Sequence, residues 1–330
     1  MPLLPIQNRH DIDWRTLRRL RTSYLECGPI ETDYWRDEND LLAYDMTFAQ
    51  RIAWKWDAVL ADLDRLGWRP PGGRILDWGC GSGIATRLVL TAFPGLPGAT
   101  VQFFDRSEHA MSFAAKRLRA VHPRVARGVV DEPDLLIVSH VIGELNGTGE
   151  LELERAIRKA RSVIWVEPGA YEISSKLVAF RARLLDAFDP VAPCTHGAVC
   201  GMTDPANVRH WCHFFAHAPA EVHGDPDWAA FARELQIDVR TVPYSYLVLQ
   251  RREDAAPPAA RDPRLHRIIG RPRLYKGYSK VLACGPEGVA DLHLLQRTDR
   301  DLHRAFHKDR FNPVQVMEIS EGRIQSVGPA

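Results

Sequence analysis

Six cysteines occur in this chain of 330 residues, and three of them share one short segment. Residues 193–214, PCTHGAVCGMTDPANVRHWCHF, contain Cys194, Cys200 and Cys212, and Cys284 follows much later. Thiolates are soft ligands, and four of them suit Zn²⁺ or an iron–sulfur cluster. The two short knuckles typical of structural zinc are missing, and three near ligands with one distant ligand are common around a cubane cluster. The spacing favours a metal over ordinary core thiols and leaves zinc and a cluster open.

The setting of these cysteines argues against disulfides. The N-terminal stretch lacks a secretory pattern, and six cysteines are few for a disulfide scaffold of this length. We therefore expect a reducing, cytoplasmic location, where clustered thiols serve as ligands or catalysts. Further ligand candidates in the segment are His196, His210 and His213.

A glycine-rich stretch, LDWGCGSG at 76–83, could hold an anionic cofactor. Glycines allow a tight turn and close approach of a ligand, and the start of the following helix attracts an anion such as the methionine carboxylate of S-adenosylmethionine. An acidic residue ending the next strand would hold the ribose hydroxyls, and one after the third strand would face the adenine amine. The predicted cofactor ligands are Asp77, Gly79, Gly81, Gly83, Asp105 and Asp131. The alternative is a turn that merely packs closely.

Acid–base chemistry has only weak candidates. His140 and Glu144, in SHVIGELN at 139–146, follow the predicted fourth strand, where a methyl group would be delivered. A histidine there is commonly a hydrogen-bonded structural residue. The stretch has no Pro-Pro-aromatic motif, and neither it nor EPG at 167–169 offers a nucleophilic cysteine. The sequence therefore does not establish catalysis.

The positive charge is concentrated late in the chain. Residues 251–310 contain 14 basic and 8 acidic side chains, whereas the whole chain has a net charge of +1. Cations neutralise phosphates and tyrosines stack on unpaired bases, so RLHRIIGRPRLYKGYSK at 264–280 is a candidate RNA-binding segment or, alternatively, a solvated basic strand edge. Its candidate RNA-binding residues are Arg271, Arg273, Tyr275, Lys276, Tyr278 and Lys280.

Alternating strand and helix patterns must position these groups. Helical spacing covers residues 12–65, and strand–helix units from 74 to 188 predict an α/β fold with a doubly wound parallel sheet. We expect three parts: an N-terminal helical region at 1–68, a cofactor-binding domain at 69–252 with a Cys-rich insertion at 189–226, and a C-terminal basic β segment at 253–330. The pattern predicts two strands in 278–297 and a linker at 253–263. No apolar run is long enough for a membrane span, and we expect a monomer.

Residues 70–250, through the glycine loop and Asp105, resemble the class I S-adenosylmethionine-dependent methyltransferases, with their Rossmann-like sheet. A second resemblance covers nearly the whole chain. AYDMTFAQRIAWKWDAVL, LDWGCGSG, VEPG, VAPCTHGAVC, WCHF and VLACGPEG are similar to the methyltransferase-like family of small-ribosomal-subunit proteins, which has mitochondrial assembly factors and bacterial relatives.

This second resemblance implies a [4Fe–4S] cluster held by Cys194, Cys200, Cys212 and Cys284, and small-subunit ribosomal RNA as partner. Thr195 replaces a usual proline, the stretch after Cys200 is diverged, and the usual Trp-containing C-terminal ending is missing. The cluster would clamp the basic segment onto the methyltransferase-type domain.

Three functions follow as expectations. The first is a cofactor-binding, iron–sulfur protein that acts on small-subunit ribosomal RNA as methyltransferase or assembly factor. The second is a non-catalytic RNA-binding factor that uses the fold as a scaffold. The third is a small-molecule methyltransferase with a structural zinc site.

Overall fold

The computed structural model describes residues 13–25, 33–96, 98–254 and 262–329. Two compact units form: the first runs to Glu167 and includes Ala216–Tyr244, and the second contains Pro168–Phe215 and the chain from Ser245 onward. The three-part division predicted from the sequence stays a prediction. Its segments 1–12 and 26–32 and most of the predicted linker lie outside the described residues.

Three helices open the first unit: α1 (Trp14–Leu25), α2 (Glu38–Met46) and α3 (Phe48–Arg65). The Asp37 carboxylate caps α2 by accepting hydrogen bonds from the backbone N–H groups of residues 39 and 40. Helix α3 ends just before Gly67, whose φ of +64° suits glycine and stops the helix as predicted.

A parallel sheet forms the centre of the first unit, which confirms the predicted α/β fold with its Rossmann-like sheet. Five strands lie in the order β3-β2-β1-β4-β5 and every neighbouring pair is parallel. The strands are β1 (Arg74–Trp78), β2 (Thr100–Phe104), β3 (Ala126–Arg127), β4 (Leu135–Ser139) and β5 (Ser162–Pro168). The helices between them are α4 (Ile84–Ala92), α5 (Glu108–Val121) and α6 (Gly147–Lys159).

Strand β3 is far shorter than the strand predicted over 124–131. Its two residues are exposed at the sheet edge, and the side-chain amide oxygen of Gln102 accepts the backbone N–H of Val130 at 2.6 Å. A side chain thus takes over the pairing that a longer strand would have made.

The second unit begins with α7 (Tyr171–Leu184) and β6 (Phe188–Ala192). After β6 the chain forms only short 3₁₀ turns until β7 (Phe214–Ala216). Helix α8 (Pro226–Leu235) belongs to the first unit, and β8 (Val242–Arg251) pairs antiparallel with β6. The irregular segment 193–213 is where three of the cysteines lie.

A closed five-stranded barrel completes the second unit, where the sequence predicted only two strands. Its strand order is β10-β11-β13-β12-β9. The elements are β9 (Leu265–Tyr275), β10 (Tyr278–Gly285), β11 (Gly288–Leu295), α9 (Arg300–His307), β12 (Val314–Ser320) and β13 (Arg323–Pro329). Its core consists of Ile268, Val281, Ala283, Leu292, Leu294, Phe306, Met317 and Ile324.

In the described part of the chain, every helix is too short or too polar to cross a membrane.

Candidate functional site

Three glycines with positive φ shape the loop between β1 and α4. A Cβ atom on Gly79 (φ +72°) would lie 2.5 Å from Cγ2 of Val141, and one on Gly83 (φ +71°) would lie 2.8 Å from Cβ of Ala114. Packing therefore requires glycine at both positions. Gly81 (φ +50°) differs, because a Cβ there would meet nothing within 4 Å. The loop is open at Gly81, where a ligand can approach the backbone.

The N-terminus of α4 follows the glycine loop directly, and the buried carboxylate of Asp77 accepts hydrogen bonds from Thr86 in its first turn. Gly83 caps it without a side-chain hydrogen bond, and the first N–H groups of a helix have no partner inside the helix. The hydroxyl of Ser82 is buried beside it and has no hydrogen-bond partner among the described residues. The remaining N–H groups at the start of the helix and the hydroxyl of Ser82 fit the carboxylate of an amino-acid-like cofactor.

The predicted acidic ligands occupy three different environments. Asp105 is half-buried, and its two carboxylate oxygens accept the backbone N–H groups of Gly81 and Ser107 at 2.9 and 3.0 Å. Burial raises its pKa, although these two hydrogen bonds act in the opposite direction. Because a carboxylate can accept about four hydrogen bonds, Asp105 can still accept from a ligand hydroxyl.

Asp77 lies beneath the loop rather than on its surface. It is fully buried, and Oδ2 accepts the hydroxyl of Thr86 at 2.7 Å, while Oδ1 has no partner among the described residues. Burial raises its pKa to about 7. Asp131 is exposed beyond β3. The roles predicted for Asp77 and Asp131 in cofactor binding remain predictions.

His140 follows β4 directly and has a left-handed conformation, with φ of +58°. Its Nε2 accepts a hydrogen bond from Nζ of Lys55 at 2.8 Å, and its Nδ1 lies 3.4 Å from Oγ of Ser139. Burial and the neighbouring cations Lys55 and Arg51 hold the pKa of His140 well below its usual value. The imidazole is therefore neutral at pH 7, and its basic nitrogen is occupied by Lys55.

Glu167, at the end of β5, holds the turn that follows β4. It is fully buried, and Oε1 accepts the N–H groups of Val141 and Ile142 at 3.0 Å and the indole N–H of Trp165 at 2.7 Å. Burial raises the pKa of Glu167 to about 7, and burial lowers the pKa of Lys55 to about 7. Both groups therefore change protonation near neutral pH.

Glu144 lies at the rim of this turn and is the more accessible acid–base group. Its carboxylate accepts the hydroxyl of Tyr34 at 3.5 Å and lies 3.8 Å from the guanidinium of Arg106. Burial raises its pKa to about 7. The carboxyl side chain can thus take up or release a proton at physiological pH, as a general base requires.

Sequence reasoning missed Lys55, Glu167 and Tyr34. A signal for Lys55 was present: Ile52, Lys55, Trp56 and Val59 recur at helical spacing, which places the lysine on the buried face of α3. Glu167 stood in the noted VEPG stretch, yet a buried carboxylate there cannot be recognised from residue type alone. Tyr34 meets Glu144 only through the fold.

The four predicted metal-ligating cysteines all lie in the second unit and face one another. Burial raises the pKa of the Cys212 thiol well above its usual value, and interactions with Cys194, Cys284 and Cys200 raise it further. Cys284 projects from β10, and its Sγ lies 3.4 Å from Nε2 of His196. The structure therefore brings together the cysteine that is distant in sequence and the three that are close.

Two buried arginines, Arg181 and Arg267, accompany these thiols. Arg181 of α7 donates from Nε to Sγ of Cys194 at 3.1 Å and from Nη2 to the carbonyls of His196 and Ala198 at 3.1 and 2.9 Å. Arg267 of β9 pairs in register with Cys284. Both guanidinium groups favour the thiolate form of Cys284, although burial still raises its pKa to about 12. Two buried cations suit an anionic group bound by the thiols.

No group of three or more His, Cys, Asp or Glu side chains is placed to hold a single metal ion within the described residues. The four cysteines therefore stay a predicted ligand set. Another candidate ligand, His213, donates from Nδ1 to the carbonyl of Trp211 at 3.0 Å and stacks on that indole at 4.4 Å.

The basic segment divides into structural and exposed cations. Arg271 pairs with Asp309 at 3.2 Å and lies 4.2 Å above the ring of Phe215, and Arg273 pairs with Asp291. Lys276 is exposed in the β9–β10 turn, and Lys280 is half-buried on β10. Tyr275 and Tyr278 stack at 4.7 Å with an interplanar angle of 5°.

Most of the chain matches a known protein family. Residues 39–312 match the family model described as "mitochondrial small ribosomal subunit Rsm22". No curated protein matches the sequence.

Two solved structures resemble this chain in fold. A candidate RNA methyltransferase from Pyrococcus horikoshii is 12% identical over 70% of this chain and 97% of that chain, with a TM-score of 0.36. The magnesium protoporphyrin IX methyltransferase from Synechocystis PCC 6803, solved with S-adenosylmethionine, is 13% identical over 72% and 90%, with a TM-score of 0.38.

Proposed function

The chain belongs to the mitochondrial small ribosomal subunit Rsm22 family, and we propose that it binds S-adenosylmethionine and methylates small-subunit ribosomal RNA during assembly of the subunit. The observation that carries this proposal is the open glycine loop. Gly81 faces free space, α4 begins directly after the loop, and Asp105 stands at the rim.

Different residues of the chain would bind the cofactor, accept a proton and position the turn after β4. The N–H groups at the start of α4 and Ser82 bind the carboxylate of the cofactor, and Asp105 accepts hydrogen bonds from its ribose. When bound, the cofactor supplies the electrophilic methyl group. Glu144 accepts the proton that the methylated atom releases, because its pKa of about 7 matches the working pH. Lys55 and Glu167 fix the turn after β4 that carries Glu144.

Methyl mapping of small-subunit RNA tests the proposal. We expect one or more marks to disappear on deletion of the gene, and to stay absent when Gly81→Val replaces the native protein. Gly95→Val is a control, because its Cβ also meets nothing within 4 Å and Gly95 follows α4 rather than preceding it. Marks that survive deletion would contradict methyl transfer. RNA binding without marks would favour an assembly factor that uses the fold as a scaffold.

We further propose that the four cysteines hold a [4Fe–4S] cluster with a structural role. A cubane is larger than one ion, so its thiolates stand further apart than around a single metal ion, and two buried arginines offset its negative charge. Four cysteine ligands leave no open iron position for substrate.

Metal analysis decides between the cluster and zinc. Protein purified without oxygen should be brown, with about four irons per chain. Colourless protein that contains zinc would contradict the cluster. It would favour the structural zinc site that the sequence left open.

A further inference from the structure

The barrel of the second unit has the topology of an OB-fold. Its five strands close in the order β10-β11-β13-β12-β9, β11 and β13 pair in parallel, and α9 connects β11 to β12. In OB-folds, the face of the second and third strands and the loop between the first and second bind oligonucleotides or oligosaccharides. Here these are β10, β11 and the β9–β10 turn.

Three parallel rings cross this face of the barrel. Tyr278 stacks on Tyr275 at 4.7 Å and on His293 at 5.8 Å, with interplanar angles of 5° and 10°. The intervening Ser279 and the neighbouring Leu294 are fully buried, so the rings lie on the outer side of the barrel. Tyr275 ends the row and is 43% exposed. An exposed ring at the end of a stack is a platform for one more flat, aromatic group.

A basic cleft adjoins Tyr275. Its volume is about 340 Å³, and its lining includes Tyr275, Lys276, Gln296, Arg300, Arg304 and His307. Of the three permanent cations, only Arg304 has an ion-pair partner among the described residues, the exposed Asp301 at 3.4 Å. Lys276 and Arg300 are exposed at the mouth. The cleft thus offers positive charge beside a stacking surface.

The rest of the face is close to neutral. Lys280 lies between Arg273 and His293 in the strand register, and Asp291 pairs with Arg273. The electrostatic attraction for an anion is therefore concentrated at the β9–β10 turn and α9. Flat stacking next to concentrated cations favours a nucleotide over a neutral sugar, since a nucleotide supplies both a base and a phosphate.

We propose that this platform binds unpaired nucleotides of single-stranded RNA. One base stacks on Tyr275, and the adjoining phosphates lie along Lys276, Arg300 and Arg304. The inference rests on the proposed action on ribosomal RNA and sharpens it, because it names loops and single-stranded ends, rather than duplex, as the part of the RNA that the second unit holds.

Fluorescence anisotropy with the full-length protein tests this proposal. The probes are a labelled single strand of about 12 nucleotides of mixed sequence and the blunt RNA duplex of the same sequence. We expect the single strand to bind more tightly. Tyr275→Ala should weaken its binding about 5- to 100-fold, whereas Tyr275→Phe, which keeps the ring, should stay close to the native protein.

A cation variant adds an independent readout. Lys276→Ala should reduce the slope of log affinity against log salt concentration by about 0.7. The exposed lysine of the first unit, Lys159, provides the control, and Lys159→Ala should leave the slope unchanged.

Three results would overturn the proposed platform. They are tighter binding of the duplex than of the single strand, equal affinity of Tyr275→Ala and the native protein for the single strand, and an unchanged salt slope for Lys276→Ala. Calorimetric titration of S-adenosylmethionine into the same preparations separates this failure from failure of the proposed function. Loss of the platform leaves cofactor binding intact, whereas absence of cofactor binding with normal RNA binding refutes only the methyl-transfer proposal.

Discussion

Buried ionisable side chains meet where β4 and β5 end. Lys55 and Glu167 are almost fully enclosed, and burial moves the pKa of each to about 7 from opposite directions. Desolvation disfavours both charged forms, and their mutual attraction only partly compensates. Such groups cost stability and are common where a fold needs a proton acceptor or donor near neutral pH.

Replacing Glu167 by Gln should make stability less dependent on pH. The folded-state pKa of Glu167, about 7, exceeds its unfolded value near 4.3, so its stabilising contribution is complete below pH ~4 and is lost as pH rises to about 7. Glu167→Gln keeps the acceptor for the three N–H donors and cannot ionise. We expect the free energy of unfolding of the variant, relative to that of the native protein, to be on the order of 2–3 kcal/mol higher at pH 8 than at pH 5.

Denaturant unfolding at the two pH values measures this difference. The exposed Glu152 of α6 supplies the control. Glu152→Gln should change the free energy of unfolding by the same amount at pH 5 and at pH 8. A Glu167→Gln difference that is the same at pH 5 and pH 8 would show that Glu167 is ionised throughout.

The glycine loop allows a paired test of packing and binding. Gly79→Ala should destabilise the protein by about 1–3 kcal/mol, because its Cβ meets Val141 at 2.5 Å in a left-handed conformation. Gly81→Ala carries only the conformational cost, about 1 kcal/mol, and should lower cofactor affinity. Thermal unfolding and calorimetry measure the two effects. If Gly79→Ala and Gly81→Ala destabilise the protein equally, the open space beside Gly81 does not reduce the cost of adding a side chain there.

At the scale of elements, α7 and β10 organise the irregular cysteine segment. Arg181 of α7 donates hydrogen bonds to two backbone carbonyls of the segment. Cys284 of β10 contacts His196 of the segment. A segment of 3₁₀ turns has little regular backbone pairing of its own, so bonds to a shared cluster would contribute much of its order.

Cys284→Ser should therefore remove bound iron and lower the thermal midpoint of the second unit by several degrees, because one stability contribution of a few kcal/mol is lost. Cofactor binding by the first unit should persist. Cys27→Ser, which changes a cysteine outside the predicted ligand set, is the control. Iron analysis and calorimetric scans provide the data. Full iron content in Cys284→Ser would remove this residue from the ligand set.

Local patterns predicted the elements of the first unit well and those of the barrel poorly. β1, β2, β4 and β5 are apolar runs beside periodic helices, so their type was visible in the sequence. The sequence analysis missed β12 and β13. In β12 the alternation of buried apolar and exposed polar residues is weak, because the polar Gln315 is buried and the apolar Ile319 is exposed. Their pairing with β9 and β11 joins residues distant in sequence, which no local window contains.

The same limit applies to the sites. Residue type and spacing were enough to select the glycine loop and the cysteines as candidate sites, because both groups stand close together in the sequence. The contacts that set proton affinity, Lys55 to His140 and Tyr34 to Glu144, exist only in the folded chain. Within the basic segment, the sequence could not separate Arg271, paired with Asp309, from the exposed Lys276.

At the scale of the molecule, the family match at 39–312 spans both units. The first unit contains the glycine loop and the residues proposed for acid–base chemistry, and the second contains the cysteines and the barrel. The residues proposed for each role lie within one unit, so each role can be inactivated separately. Methyl-group chemistry is proposed for the first unit and RNA binding for the second.

Methyl transfer in vitro tests the central claim most directly. Purified protein is incubated with S-adenosylmethionine labelled in its methyl group and with small ribosomal subunits from cells that lack the gene. We predict label in the small-subunit RNA, less label with Gly81→Val, and little label when the subunits come from cells that contain the gene. Protein that binds the cofactor and the subunit yet leaves the RNA unlabelled would contradict the proposed methyl transfer.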